Sequence, residues 1–220
     1  MVLSEVSVVK CLSGGVKAFA VCLALLATSA HVGALPPIAE GDLVFVVASS
    51  ANAITAVTSG VDSLPIDHVA IAHRIGGNGG PLYVIEALPD RGVVLTPIDS
   101  LMSRTQGQLL VGRVAGADIG VSVQRALRYV GRPYDFYYQP GAEDIYCSEL
   151  VQLSYVDTSG CALFPTIAMT FCDHPGHIAD SWAEHYRRAG VAVPEGAPGT
   201  NPAHQSRDPH VTIINDSKDF

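Results

Sequence analysis

The chain has 220 residues, 48% of them hydrophobic and 15% charged, enough apolar side chain to close one core and too little length for two large domains. Such a composition excludes disorder over most of the length and needs no covalent staple to fold. The formal net charge of -8, with no run of Lys and Arg anywhere, excludes a nucleic-acid partner, whose phosphates demand clustered cations.

Taken from the N-terminus, Lys10 and Lys17 lead into AFAVCLALLATSA, an apolar run from Ala18 to Ala30. HVGALPP follows, with Val32 and Ala34 at the small-residue spacing of a signal-peptidase site. Residues 1–35 therefore read as a secretory signal or, if uncleaved, as a single N-terminal anchor ended by Pro36 and Pro37. Both readings place the domain that begins at Ile38 and runs to Phe220 outside the cytoplasm and close to a membrane.

GDLVFVVAS, from Gly41, has the composition of a short strand, and SANAITAVTSG reads as a helix running to Gly60. IDHVAIAHRI from Ile66 and PLYVIEALPD from Pro81 are β-rich runs joined by GGNGG, a hairpin signal. GVVLTPI continues the meander after the turn at Asp90, and QLLVGRVAG, Gln108 to Gly116, adds another strand. VSVQRALRYVG is an amphipathic helix ending at Gly131; RPYDFYYQPGAEDIY is a polar and aromatic loop. SELVQLSY suits a second helix, and from Ala197 a loop-rich tail wraps the domain before VTII. Strands first and helices mostly after belong to the α+β class, an antiparallel sheet packed against helices.

Of the five cysteines, Cys147, Cys161 and Cys172 lie beyond the leader. In an oxidising compartment Cys161 and Cys172 can pair and leave Cys147 free for chemistry; three buried thiols is the alternative. Cys147 stands where the aromatic loop becomes a helix. There the helix dipole and unpaired backbone N–H groups favour thiolate, and the same N–H groups can hold an oxyanion. A nucleophilic thiol needs a base, and His68, inside an apolar strand, is the candidate. His73 competes, but strict alternation puts the two on opposite faces, and His73 beside Arg74 and the glycine turn occupies a solvated position. Glu86 lies in the next strand, LYVIEAL, where an unpaired carboxylate is costly and where it can meet His68 across the ladder and orient it.

Five segments in order, GDLVF, DHVAIAH, VIEAL, GRPYDFYY and IYCSELV, together resemble the YiiX/YebB-like permuted papain-fold amidases, relatives of the NlpC-type cell-wall cysteine peptidases. The resemblance spans Gly41 to Tyr155, and the tail PGTNPAHQSRDP has the look of that family's C-terminal loop. It implies a circularly permuted papain-like core in which Cys147 is the nucleophile, His68 the base and Glu86 the third member, with Tyr134, Asp135 and Tyr146 lining the substrate site. Glu149 matches the motif too, one turn into the helix, in a structural role.

CALFPTIAMTFCDHPGHIADSW departs from the resemblance. Its Cys161, Cys172, His174 and His177 are ligand types that zinc accepts, but the spacing follows no strong zinc signature, and a disulfide with solvated histidines ranks above it. His185, His204 and His210, in polar surroundings, carry no assigned role. The expected activity is a thiol hydrolase cleaving an amide through Cys147, His68 and Glu86, needing no cofactor or metal, with a peptide of peptidoglycan as first substrate. A lipid amide or ester hydrolase or acyltransferase of the lecithin retinol acyltransferase type stands second, to be favoured by an apolar site; a non-catalytic ligand-binding module stands third. Nothing in the sequence fixes the oligomeric state.

Overall fold

The computed structural model describes residues 37–106, 108–139, 141 and 143–214; the leader expected over residues 1–35 lies outside the described residues. In chain order the elements are β1 (Leu43–Val47), β2 (Ile66–Arg74), β3 (Leu82–Leu88), β4 (Gly92–Pro97), α1 (Ile98–Arg104), β5 (Leu109–Val114), α2 (Ile119–Arg128) and α3 (Cys147–Ser154). There follow β6 (Ile167–Ala168), β7 (Cys172–His174), β8 (His177–Ile178), α4 (Asp180–Ala189), β9 (Pro198–Gly199), α5 (Pro202–Gln205) and β10 (Val211–Ile214). Six strands form one antiparallel sheet in the order β10-β5-β1-β2-β3-β4. The α+β architecture expected from the element order is the one observed. No helix among the described residues is long and apolar enough to cross a membrane.

Side-chain alternation sorts the strands onto two faces. Leu43, Phe45, Val69, Ile71 and Ile85 pack with Val123 and Ala126 of α2 and Leu150 and Val151 of α3. Val44, Ala70, Ala72, Val84 and Val111 form the opposite face with Leu101 of α1. Burying each such side chain stabilises the fold by about 1.5–3 kcal/mol, which is why the sheet centre carries the longest apolar runs. A third cluster, Met169, Phe171, Trp182 and Tyr186, gathers the insert and α4 against Ile54, Val57 and Tyr138.

The GGNGG turn and its strands form as the sequence predicts, with Arg74 opposite Leu82. At the next turn Gly92 takes φ 67, and a Cβ there would meet the Arg132 carbonyl oxygen at 2.1 Å. Only glycine fits that approach.

The helix expected over SANAITAVTSG does not form. Asn52 accepts N–H bonds from Ile54 and Thr55, closing a local turn, and only Ala56 N–H reaches back to a carbonyl four residues earlier, that of Asn52. Ile54, Thr55, Val57 and Thr58 are β-branched, and Asn52 offers the backbone a turn instead of a helix. The insert, to which the sequence reading assigned no strand, contributes to the two-stranded pairs β6–β9 and β7–β8 and leads into α4. Asp180 in the first turn, Arg187 and Arg188 in the last and Gly190 in the left-handed conformation are helix-end signals, although Ala179 at the N-cap supplies no capping side chain. Cys161 and Cys172 are free rather than bridged: Cys161 is exposed on the turn held by Asp157, while Cys172 begins β7.

Candidate active site

The helix that begins at Cys147 is entered through extended backbone, with Tyr146 at φ -97 and ψ 167, so the chain turns sharply into its first residue. The Tyr146 hydroxyl accepts the Thr200 N–H at 3.0 Å, and Gln205 donates to the Ser148 carbonyl at 2.8 Å; β9 and α5 thus brace this helix start. Gly199 is required there, because a Cβ would fall 2.6 Å from Met169 and 3.0 Å from the Tyr146 hydroxyl. At the far end of α3, Tyr155 is wholly buried and donates to the Gly41 carbonyl at 2.6 Å.

His68 reaches Cys147 through an irregularity in β2. Val46 lies opposite His68 but Val47 opposite Ile66, so Asp67 is an extra residue in the ladder. Such a bulge re-aims side chains and breaks the strict two-faced alternation on which the comparison of His68 with His73 rested. The β2–β3 ladder ends at Ile71 opposite Ile85, which makes Glu86 a diagonal neighbour of His68 and not a direct one. His68 Nε2 lies 2.8 Å from Glu86 Oε2, and the ring also hydrogen-bonds Cys147. It thus joins Glu86, whose strand neighbour Val84 belongs to the α1 face, to a cysteine that packs with Val69 and Ile71 on the other face. With Nε2 taken by Glu86, Nδ1 is the nitrogen that remains for the thiol. His73 is paired elsewhere, with Glu40 at 2.8 Å, and is not solvated.

Burial opposes a charged imidazole, yet the hydrogen bonds to Cys147 and then Glu86 outweigh it and raise His68 from 6.5 to about 10. Burial likewise opposes the Glu86 carboxylate, whose side chain is 0% exposed, but bonds to His68 and to Arg104 of α1 bring it down from 4.5 to about 2. Arg104 is thus a fourth member of the network. Its signal in the sequence was faint: a single cation closing a short helix.

Cys147 opens onto an apolar slot walled by Tyr134, Tyr138, Tyr146, Met169, Phe171 and Trp182. Two of the tyrosines named from the sequence, Tyr134 and Tyr146, are therefore at the site. Tyr134 and Tyr138 share a hydrogen bond, and burial pushes both phenols upward, so they meet a substrate as neutral groups. Tyr138 sits at φ 52, a left-handed conformation that turns its ring onto Tyr146, Phe171 and Trp182. Asp135 is the exception among the named residues. It stands behind the wall, its two oxygens accepting the Tyr137 and Gln139 N–H groups at 2.7 Å each and fixing the bend that presents Tyr138. Met169, Phe171 and Trp182 were missed because they belong to the unmatched insert and α4.

On the other side of His68 a polar cleft is lined by Ser50, Asn52, Asp67, Arg104 and Gln106. Glu149 is buried under the helix start. Burial and the nearby Asp135 charge raise it to about 8, although it accepts the Tyr146 and Gly141 N–H groups. The bond to Tyr146, the residue before the helix, is one half of a capping box and is the structural role expected of it. The four-ligand set considered for zinc is not assembled, since Asp173, and neither cysteine, converges with His174 and His177.

A family model described as permuted papain-like amidase enzyme, YaeF/YiiX, C92 family, matches residues 37–215. A solved structure described as metalloprotein yiiX from Escherichia coli O157:H7 aligns with TM-score 0.64 and 24% identity, over 81% of this chain and 97% of that one, a likeness of fold. No curated protein matches the chain. The matched span takes in the whole sheet, the helix at Cys147 and the C-terminal brace, and the chain belongs to the permuted papain-like amidases of the YaeF/YiiX type, a family of cysteine peptidases and amidases.

Proposed function

We propose that the protein is a thiol amidase in which Cys147 is the nucleophile, His68 the general base and acid, and Glu86 the group that orients His68. The observation that carries this reading is the single imidazole shared between Cys147 and a fully buried carboxylate at the mouth of a slot. Cys147 gives its proton to His68 and its sulfur attacks the amide carbonyl carbon; the carbonyl electrons move to oxygen, where the free N–H groups of the first turn of α3 stabilise the oxyanion. On collapse, the C–N bond breaks, His68 protonates the departing amine, and a thioester remains on Cys147. His68 then takes a proton from water, which attacks the thioester and releases the acid. Glu86, held ionised by Arg104, keeps Nε2 engaged throughout, so the ring presents one nitrogen to sulfur and substrate.

The slot favours an amide whose acyl side is apolar: aromatic and thioether side chains wall it, and the nucleophile lies within it. This moves the lipid amide, second in the sequence reading, ahead of the peptidoglycan peptide. The peptide keeps one observation in its favour, the polar cleft beyond His68, with Arg104, Asp67 and Asn52 to meet charged and hydrogen-bonding groups. The apolar run Ala18 to Ala30 supports export to the cell envelope, where both substrates are found.

The Escherichia coli structural neighbour is described as a metalloprotein. In this chain the Cys147 centre is a poor match for an ion, because His68 and Glu86 are committed to one another and to Arg104. The donor set that suits a divalent ion, Asp173, His174 and His177, lies on the β7–β8 hairpin, where an ion would brace the fold; no step above passes through it.

The test is hydrolysis of a matched series of N-acyl amino-acid amides and muropeptide stems, followed by mass spectrometry of the Cys147 thioester. Turnover of the acyl series, a trapped acyl group on Cys147 and loss of both in Cys147→Ala are expected. Turnover that survives Cys147→Ala would refute the mechanism, and cleavage of the stems alone would reverse the order of the two substrates.

A further inference from the structure

We infer that the β7–β8 hairpin is a binding site for one divalent transition-metal ion of the zinc class, held by Asp173, His174 and His177. The hairpin turns at Pro175 and Gly176, the latter at φ 78, and places His174 directly opposite His177. Side chains so paired stand within contact, and the two imidazoles stack at 4.3 Å between centroids with 19° between planes. In a regular strand Asp173 would point away from His174. The register shifts between Cys172 and His174, and that irregularity brings the carboxylate round to the same side. Oδ1 of Asp173 then lies 2.6 Å from His174 Nδ1 and 2.8 Å from His177 Nδ1.

Three donor groups thus converge from five consecutive residues, with ligand atoms all within 4.8 Å of one another. A tetrahedral zinc with bonds of about 2.0–2.1 Å sets its ligand atoms roughly 3.3 Å apart, so the Asp173 oxygen must swing away from both ring nitrogens, and rotation of these exposed side chains supplies the difference. Two imidazoles and a carboxylate suit zinc, cobalt, nickel or copper and not the oxygen-only ions. All three side chains are exposed, so an ion held by them keeps its solvent-facing side open for water. Ile178, next along β8, packs into the cluster that contains Phe171 and Trp182, so an ion here would stiffen the hairpin behind the slot wall.

The test is titration of the full chain, stripped with a chelator, with cobalt(II), followed by the visible ligand-field spectrum and by displacement with zinc. The expected result is one equivalent bound, a spectrum of nitrogen and oxygen ligation without thiolate-to-cobalt charge transfer, and affinity lowered roughly tenfold or more in Asp173→Asn, His174→Ala and His177→Ala. These residues are exposed, and unchanged metal-free thermal unfolding of the variants shows that the loss is of ligands and not of fold. No saturable uptake would overturn the proposal. So would uptake that persists in the double variant His174→Ala, His177→Ala, or a thiolate band, which would move the ion to Cys147, Cys161 or Cys172.

Discussion

Replacing Glu86 with Gln keeps shape and removes charge, and its effect can be worked from the site. Glu86 is lowered from 4.5 to about 2, a shift that corresponds to about 3 kcal/mol at roughly 1.4 kcal/mol per unit, and its zero exposure leaves no solvent to screen the interaction. That agrees with the ~3–5 kcal/mol measured when one partner of a buried pair is removed. A carboxylate with a depressed value stabilises the fold above its ordinary 4.5 and loses that contribution as pH falls toward 2. His68 runs the other way: raised from 6.5 to about 10, it contributes fully below 6.5 and loses its contribution as pH rises through 10. The two windows overlap between 4.5 and 6.5, where the variant should be least stable relative to the parent. Urea unfolding followed by the fluorescence of Trp182, the only tryptophan, measures the difference. A gap of about 3 kcal/mol in that window, narrowing toward about pH 3, is expected. A gap that stays constant across the acid range would show that the charge is not what holds His68, and the role given to Glu86 would fall.

Arg104→Met should slow hydrolysis while leaving Cys147 alkylation at saturating reagent complete, since Arg104 acts through Glu86; a pH–rate profile identical to the parent's would dismiss it. Phe171→Ala and Trp182→Ala, which open the slot, should raise KM for long apolar acyl groups more than for short ones, and an equal change for both would detach the slot from the substrate. Tyr155→Phe removes a buried hydrogen bond to the Gly41 carbonyl and should cost about 1 kcal/mol by urea titration, more if the orphaned carbonyl finds no water. Glu149→Gln removes a carboxyl raised from 4.5 to about 8 by burial; its charging opposes folding, so the parent should lose stability relative to the variant as pH rises from 4.5 to about 8 and level off beyond. A flat difference there would mean Glu149 is not buried as described.

Local chemistry wrote much of this fold into the sequence. GGNGG between two β-branched runs permits little but a hairpin, and a cysteine between an aromatic loop and an amphipathic helix is visible at once. Cys147, His68 and Glu86 could be paired because lone polar groups in apolar strands demand partners. What escaped detection depends on register. The bulge at Asp67 has no composition of its own, so the route by which His68 meets both Glu86 and Cys147 could not be read from alternation. SANAITAVTSG failed as a helix because Asn52 competes for the backbone. Helix α4 was not expected, although Arg187, Arg188 and Gly190 mark its C-terminal end. Asp135, beside Tyr134, looked like part of the wall because sequence cannot tell a carboxylate aimed at a substrate from one satisfied by N–H groups two and four residues on.

The two long-range bonds on α3 impose an order on biosynthesis. Tyr155 closes on Gly41 across 114 residues, and Ser148 on Gln205 across 57. A chain emerging from the ribosome can pair β1 to β5 early, but the helix start that carries Cys147 lacks its brace until α5 has left the exit tunnel and β10 has zipped onto β5. Cys147 is therefore held in place only once the chain through Ile214 has been made. A chain cut short before α5 leaves the Ser148 carbonyl without Gln205 and the helix start at Cys147 unbraced.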